Sequence, residues 1–368
     1  MDGFGGSDYS TRRIIAPPPM PSRLPQPGSA VTPARIAAIA THVPDGILTN
    51  DALAAAFPEW PADRILDKTG ILERRIAAES ETALDLGVAA VEKLFAAHPD
   101  VREEVDFLLF CTQAPDYILP TSACVMQDRL GLATSVGALD INLGCSGFVY
   151  GLALAAGLIS AGAASTVLLV TADTYSKYIH PRDKSVRTLF GDGAAATLIC
   201  ADERTDASIG PFVFGTDGSG ADRLIVPAGG FRRPHSADTA AESEDRSGNV
   251  RSDDHLFMDG AGVMSFTLRE VPRTYARMLE LGNVGSDDLA AIVLHQANKF
   301  MLDALQKKLG IGDDKVPRCY ERVGNTVSST IPFVLEQELA AGRLRRGDRA
   351  MLLGFGVGLS WAGALITL

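Results

Sequence analysis

The sequence predicts an α/β protein made of two similar halves. Short runs of β-branched and aliphatic residues alternate with longer stretches of helical apolar spacing, and after Ala201 that alternation begins a second time. With 46% hydrophobic and 21% charged residues, a chain of 368 residues has enough apolar material for two domains or one large duplicated one. The expected division is an arm over residues 1–33, a first half over 34–203 and a second over 204–368.

The arm is set apart by composition: seven of the twenty prolines fall between Pro17 and Pro33, and apolar periodicity is absent. It reads as disordered or extended, without the apolar core of a secretory signal. Strands are then expected over Arg35–Thr41, Val105–Cys111, Val136–Ile141, Thr166–Thr171 and Ala194–Cys200, with a helix over Thr121–Leu130. A second helix, Phe148–Ile159, is apolar on every side, as a deeply buried helix would be. The uncharged stretch Ser146–Ala172 is long enough to span a bilayer, but it breaks at Ala161–Ser165 and resumes as a β-branched run, which is the pattern of a βαβ unit. The second half should carry strands over Ile209–Thr216, Ala290–Leu294, Met351–Phe355 and Ser360–Thr367, and helices near Gly262–Leu281, Lys299–Lys308 and Thr326–Leu339. Between the first two of these strands, Pro227–Asp254 is polar and of mixed charge. It reads as a mobile surface loop, with a lid over a site as the alternative.

A formal charge of −11 excludes nucleic acid as the main partner, because phosphate neutralisation needs concentrated Lys and Arg. Five cysteines without paired spacing imply a reducing, cytoplasmic setting and neither a disulfide framework nor a zinc site. One of them stands out. In Asp140-Ile-Asn-Leu-Gly-Cys-Ser-Gly-Phe148, Cys145 sits at a strand-to-helix turn, where free N–H groups and the helix macrodipole should lower its pKa below the free value of about 8.5 and make a thiolate nucleophile. A core cysteine is the plainer alternative. His295 lies just past a predicted buried strand, where open α/β sheets gather ligand-contacting residues, and Asn325 stands at the cap position of the next helix. Taken singly, each also fits a dull use: a hydrogen-bonded core histidine and an ordinary N-cap.

Six motifs in one order decide between these uses. They are Lys68-Thr-Gly-Ile71 with Glu73-Arg-Arg-Ile76, the cysteine motif, Phe190-Gly-Asp-Gly-Ala-Ala195, His295-Gln-Ala-Asn298, Gly324-Asn-Thr326 and Gly354-Phe-Gly-Val-Gly358. With them the chain resembles the β-ketoacyl-acyl carrier protein synthase III enzymes of the thiolase-like fold over almost all of residues 35–368.

The resemblance implies two pseudo-duplicated halves in five layers, αβαβα, as a homodimer. It implies that Cys145 takes an acyl group from acyl-CoA and that a malonyl thioester on acyl carrier protein then loses carbon dioxide. His295 Nε2 and the Asn325 amide would stabilise the resulting enolate, and the backbone N–H groups of Cys145 and Val357 the oxyanion at the acyl carbonyl. Arg64, Lys68, Lys184, Phe190, Gly260, Asn298, Phe355 and Gly356 would contact CoA or substrate. Lys299, Lys307 and Lys308 would meet the acidic carrier, and Leu119 would reach into the partner subunit's acyl pocket. No metal or redox cofactor is implied, since the thioester activates both carbons. The last glycine-rich run precedes no βαβ unit, so it is not a dinucleotide loop.

The chain departs from the family pattern at the mouth. The adenine clamp of Trp and Arg is matched by Arg64 and Lys184, with Trp60 one turn earlier. Two cations could hold phosphates there, at the cost of mutual repulsion when empty. The Arg two places after Asn298 is Phe300, and polar residues near Gly260 are replaced by Ala261 and Ser265. Two alternatives to condensation therefore stay open: an acyltransferase or hydrolase that passes the acyl group from Cys145 to a non-malonyl acceptor, and a silent scaffold.

Overall fold

The computed structural model describes residues 32–202 and 208–368. The expected arm, apart from its last two residues, and the expected boundary at 203/204 lie outside the described residues. Strands β1 (Ala34–His42), β2 (Phe107–Cys111), β3 (Gly137–Ile141), β4 (Thr166–Asp173) and β5 (Gly193–Ala201) form a five-stranded sheet in the order β1-β5-β4-β2-β3. A four-stranded sheet takes β6 (Ser208–Thr216), β7 (Ala291–Leu294), β8 (Arg349–Gly356) and β9 (Ser360–Thr367) in the order β6-β9-β8-β7. Both sheets run antiparallel, antiparallel, parallel along those four positions. The second half thus repeats the first. Only β3, an edge strand, has no counterpart among the described strands.

Alternation within each strand builds the layers, because successive side chains point to opposite faces. Leu109, Leu169, Val293 and Leu352 pack inward on the helices Gly147–Ser160 and Thr330–Ala340, whose Phe148, Leu152, Ile331 and Val334 fill the space between the sheets. Their neighbours Leu108, Phe110, Leu168 and Val170 point out to the helices Ala83–Ala97 and Ser122–Arg129. On the far side, Ile292, Leu294, Met351 and Leu353 meet Gly260–Gly282 and Lys299–Leu309. Five layers result, helices alternating with sheets.

Two expectations are corrected. The Gly147–Ser160 helix is not buried all round: Leu154 is 46% exposed, so an apolar edge of the central layer reaches the surface. No described helix is long and apolar enough to cross a membrane, and Ser146–Ala172 divides into this helix and β4, as its break suggests. Nor is Pro227–Asp254 a loosely attached loop. Ser243–Glu244 pairs with Val250–Arg251, and the Arg251 guanidinium bridges Asp183 (2.6 Å) and Asp245 (2.7 Å). The backbone N–H groups of Val250 and Leu256 donate to the carbonyls of Arg182 and Tyr178. Polar side chains and a few backbone bonds do here what an apolar stripe does elsewhere.

Leu352 is fully buried in the central layer, where truncation leaves a cavity that neither sheet can close. Leu352→Ala should cost about 2–5 kcal/mol of stability, read from the shift of the urea midpoint at unchanged slope.

Candidate active site

β3 ends at Ile141 and its helix begins at Gly147, so Cys145 sits on the intervening turn, 5% exposed. The Asp140 carboxylate at the start of this motif accepts the N–H groups of Ser122 and Ala123 (2.7 Å each), anchoring the strand to the outer helix. From the second half, the end of β8 and the turn that follows it, residues 354–358, close over the sulfur. Ser360 Oγ donates to the Val357 carbonyl (2.8 Å) and so accepts from Ser146 Oγ (2.7 Å), which ties the two loops together. The Val357 backbone N–H faces the sulfur and favours its thiolate form. Gly356 lies so close that a Cβ there would stand 2.7 Å from Cys145 Sγ, and its φ is +159°.

His295 follows β7 and Asn325 precedes a 3-10 turn, Val327–Ser329, that leads into the Thr330–Ala340 helix. Asn325 is not the cap of that helix, which is Ser329. Its Oδ1 accepts the Val327 N–H (2.9 Å), and its own N–H and C=O bind Leu189 and Gly191. Val327 sits at φ +55°, left-handed backbone that costs a β-branched residue about 1–3 kcal/mol.

Cys145, His295 and Asn325 line one cavity of about 390 Å³. The expected Phe190, Gly260, Asn298, Phe355 and Gly356 line it too, and Leu224, Met258, Val263, Met264 and Ala261 make its wall apolar. Of these, only Ala261 was singled out in the sequence, although Val263 and Met264 fall in the first turn of a predicted helix. Asn298 uses its Oδ1 to cap the Lys299–Leu309 helix at the Met301 N–H (3.0 Å). Phe300, 63% exposed, stands between this cavity and an outer one of about 580 Å³ that Lys68, Lys184 and Trp60 also line.

Of the expected pair of phosphate-holding cations, Lys184 lines the outer cavity and Arg64 does not. Arg64 lies over the Trp60 ring, 5.1 Å from its centroid, and is not part of the cavity wall. Lys184 is buried, its Nζ donating to the Ser247 carbonyl (2.6 Å) and paired with Glu59 (3.0 Å). Ser247 and Asn249, from the segment expected to be a loose loop, line the outer cavity. No helical or strand period marks them in the sequence. Lys299 pairs with Asp303, and Lys307 and Lys308 are exposed in the last turn of the same helix. Leu119 is 79% exposed beside Ile118 and Tyr117 and lies outside the cavity.

Electrostatics overturn one expectation. Burial pushes the Cys145 thiol up to about 12, and the nearby Asp173 adds to the rise. The Val357 N–H opposes it without prevailing. The helix start expected to lower the value is present, but desolvation outweighs it. Burial likewise holds His295 down to about 3, so the ring is neutral at physiological pH. Its Nδ1 lies 2.7 Å from Thr330 Oγ1, which is also 3.2 Å from the Val327 carbonyl. A hydroxyl has one proton to give. Given to the Val327 carbonyl, it leaves Nδ1 as the protonated nitrogen and Nε2 as an acceptor; given to the nearer Nδ1, it leaves the ring proton on Nε2, the tautomer in which that nitrogen donates. Among the described residues no three His, Cys, Asp or Glu side chains group to hold a metal ion.

A buried cysteine sharing a cavity with a neutral histidine and an asparagine, between two repeated α/β halves, defines a condensing enzyme of the thiolase-like fold. Residues 139–218 match the family described as 3-oxoacyl-[acyl-carrier-protein (ACP)] synthase III and residues 279–368 its C-terminal part. A β-ketoacyl-[acyl-carrier-protein] synthase III from Rhodopirellula baltica is 36% identical over 349 residues, 90% of this chain and 97% of the relative. A 3-oxoacyl-(acyl-carrier-protein) synthase III crystal structure is 61% identical, covering 91% of this chain and all of that one, with a TM-score of 0.90. The corresponding synthase of Burkholderia xenovorans superposes at 0.84 with 39% identity, over 92% of this chain and 95% of its own. The chain belongs to the β-ketoacyl-acyl carrier protein synthase III family. That membership does not favour the acyltransferase reading.

A raised thiol pKa has a direct signature. Alkylation of Cys145 by iodoacetamide should quicken about tenfold per pH unit between pH 7 and 10 without levelling off, because only the thiolate reacts. Peptide mass spectrometry of the Cys145 adduct measures this, and a plateau near pH 8 would show the thiol to be activated in the free protein.

Proposed function

We propose that the protein joins an acyl group from acyl-CoA to the malonyl group of malonyl-acyl carrier protein by decarboxylative condensation, in fatty acid biosynthesis. The observation that carries this reading is the meeting of Cys145, His295 and Asn325 in one largely apolar cavity. The Cys145 sulfur attacks the donor thioester carbonyl. Coenzyme A leaves with the thiol proton, and the acyl-cysteine remains. The malonyl thioester enters, its carboxylate departs as carbon dioxide, and the bonding pair moves onto the thioester enolate. His295 Nε2 and the Asn325 amide donate to that oxygen, a role supported by the neutral ring and by the Asn325 oxygen being already used on Val327. Such donors contribute roughly 10²–10³ in rate each. The enolate carbon attacks the acyl carbonyl, whose oxygen meets the N–H groups of Cys145 and Val357. The C–S bond then breaks and the thiolate is released for reprotonation.

Lys68 and Trp60 are assigned to the nucleotide end of the donor, with Lys184 as a structural cation. Phe190, Gly260, Asn298, Phe355 and Gly356 are assigned to its pantetheine and acyl parts. Lys299, Lys307 and Lys308 receive the carrier. No cofactor takes part in this scheme. The division at 203/204 and a cytoplasmic location complete the reading, the latter supported by five unpaired cysteines. We further propose a homodimer. β3 is an edge strand with unpaired backbone groups, and the exposed Leu139, Leu154 and Phe214, with Tyr117 to Leu119, offer apolar surface for a second copy. Leu119 would then reach the partner subunit's acyl pocket.

Intact-protein mass spectrometry with a panel of short, branched and long acyl-CoA thioesters should give an adduct on Cys145 that malonyl-carrier protein discharges with loss of carbon dioxide. Cys145→Ser should abolish the adduct, whereas His295→Ala should slow discharge far more than acylation. An adduct that survives the chase would point to a different acceptor. Light scattering should give twice the monomer mass, and a monomer would remove the role of Leu119.

A further inference from the structure

One fully buried carboxylate beside the nucleophile has no part in the reaction scheme. Asp173 ends β4 in the first half and is 0% exposed. Its Oδ1 accepts the Gln113 N–H (2.9 Å), and its Oδ2 accepts both the N–H (3.2 Å) and the hydroxyl (2.5 Å) of Ser328 in the second half. Two residues back on the same face of β4, Thr171 gives Ser329 Oγ a hydroxyl partner (2.9 Å) and a carbonyl acceptor (3.0 Å). Ser328 and Ser329 belong to the turn between Asn325 and Thr330. Both ends of that turn serve the site: Asn325 lines the cavity, and Thr330 holds His295 Nδ1. Its centre is Val327, at φ +55°. A strained backbone persists only where its surroundings leave it no alternative.

We propose that Asp173 is a positioning residue that clamps the strained 325–330 turn from the other half of the molecule, setting Asn325 and the His295–Thr330 pair for the decarboxylation step. The clamp bears chiefly on that step, because the hydrogen bonds that join the Cys145 turn to the Val357 loop, the Ser146–Ser360 bond among them, do not pass through Asp173; its charge reaches Cys145 only by raising the thiol. Asparagine cannot replace the carboxylate. Each oxygen receives a backbone N–H, so either orientation of the amide sets its NH2 against one of them.

The inference rests on the condensing reading, and its test separates the two. In wild type and Asp173→Asn, acylation is followed as Cys145 adduct from acyl-CoA, decarboxylation as carbon dioxide released from malonyl-carrier protein by the acylated enzyme. Hydrogen exchange of 325–330 is read beside them. Asp173→Asn should slow decarboxylation by about 10²-fold, the scale of losing a preorganised donor, leave acylation no slower, because removing the neighbouring charge favours the Cys145 thiolate, and speed exchange in 325–330. Glycine takes φ +55° freely, so Asp173→Asn combined with Val327→Gly should recover about tenfold or more of the lost decarboxylation. Should Asp173→Asn fail to fold, Ser328→Ala, which removes only the hydroxyl bond, should still slow decarboxylation about tenfold, roughly one charge-assisted hydrogen bond, with acylation unchanged. Equal loss of both steps, a double variant no better than the single one, or unchanged exchange in 325–330 would each overturn the clamp. Wild type that acylates but releases no carbon dioxide would defeat the condensing reading instead, leaving the exchange measurement to decide the clamp.

Discussion

The site depends on how closely two backbones can approach at the seam between the halves. The end of β8 runs so near the Cys145 turn that a Cβ on Gly354 would stand 2.8 Å from the Ser146 Cα and 2.9 Å from the Cys145 carbonyl. Atoms do not tolerate such distances, so the seam closes only where side chains are absent. This approach brings the Val357 N–H to the sulfur. The two glycines before Val357 therefore fix how the backbone of the second half meets the cysteine turn, while the Val357 side chain packs on the core beside Gly144.

The same closure sets the electrostatics. Excluding water raises the thiol and keeps the imidazole neutral through one cause, desolvation of the charged form. A nucleophile left as thiol in the resting protein is protected from adventitious alkylation. A neutral imidazole beside it gives hydrogen-bond donation without the charge that a cation would carry into an apolar cavity. Charge then develops only as substrate reacts, where fixed dipoles are most effective.

Much of this was legible in the sequence. The nine strands of the two large sheets lie within two residues of their expected positions, because strands packed on both faces, as most of these are, read as continuous β-branched runs bounded by polar residues. Cys145, His295 and Asn325 were found through motif order, and they do share a cavity. The illegible parts have one character: they depend on partners far away in the chain. The thiol shift follows from burial by the second half, which no local pattern around Cys145 announces. The 227–254 segment is held by Arg251 between Asp183 and Asp245, pairings that composition shows only as mixed charge. Val327 takes a left-handed backbone that its residue type argues against, and Asn325 accordingly looked like a helix cap. Lys184 looked available for phosphate until Glu59 and Ser247 were seen to hold it.

Duplication explains why the two halves contribute different chemistry. Both central helices are entered by a loop that reaches the site, one carrying Cys145 and the other Asn325. In the first half a strand, β3, delivers the chain to that loop, and ladder bonds to β2 fix its direction. The second half has no described strand in the corresponding place. Its loop is fixed from outside, by the bond of Asn325 to Leu189, the bridge to Phe190, and the carboxylate and hydroxyl groups at the end of β4. A nucleophile needs a rigid mount that survives covalent change, and a strand supplies one. A donor aimed at a transient enolate needs accurate placement, and polar contacts from the opposite half supply that. On the proposed scheme, the second step would then depend, more than the first, on the two halves being properly joined.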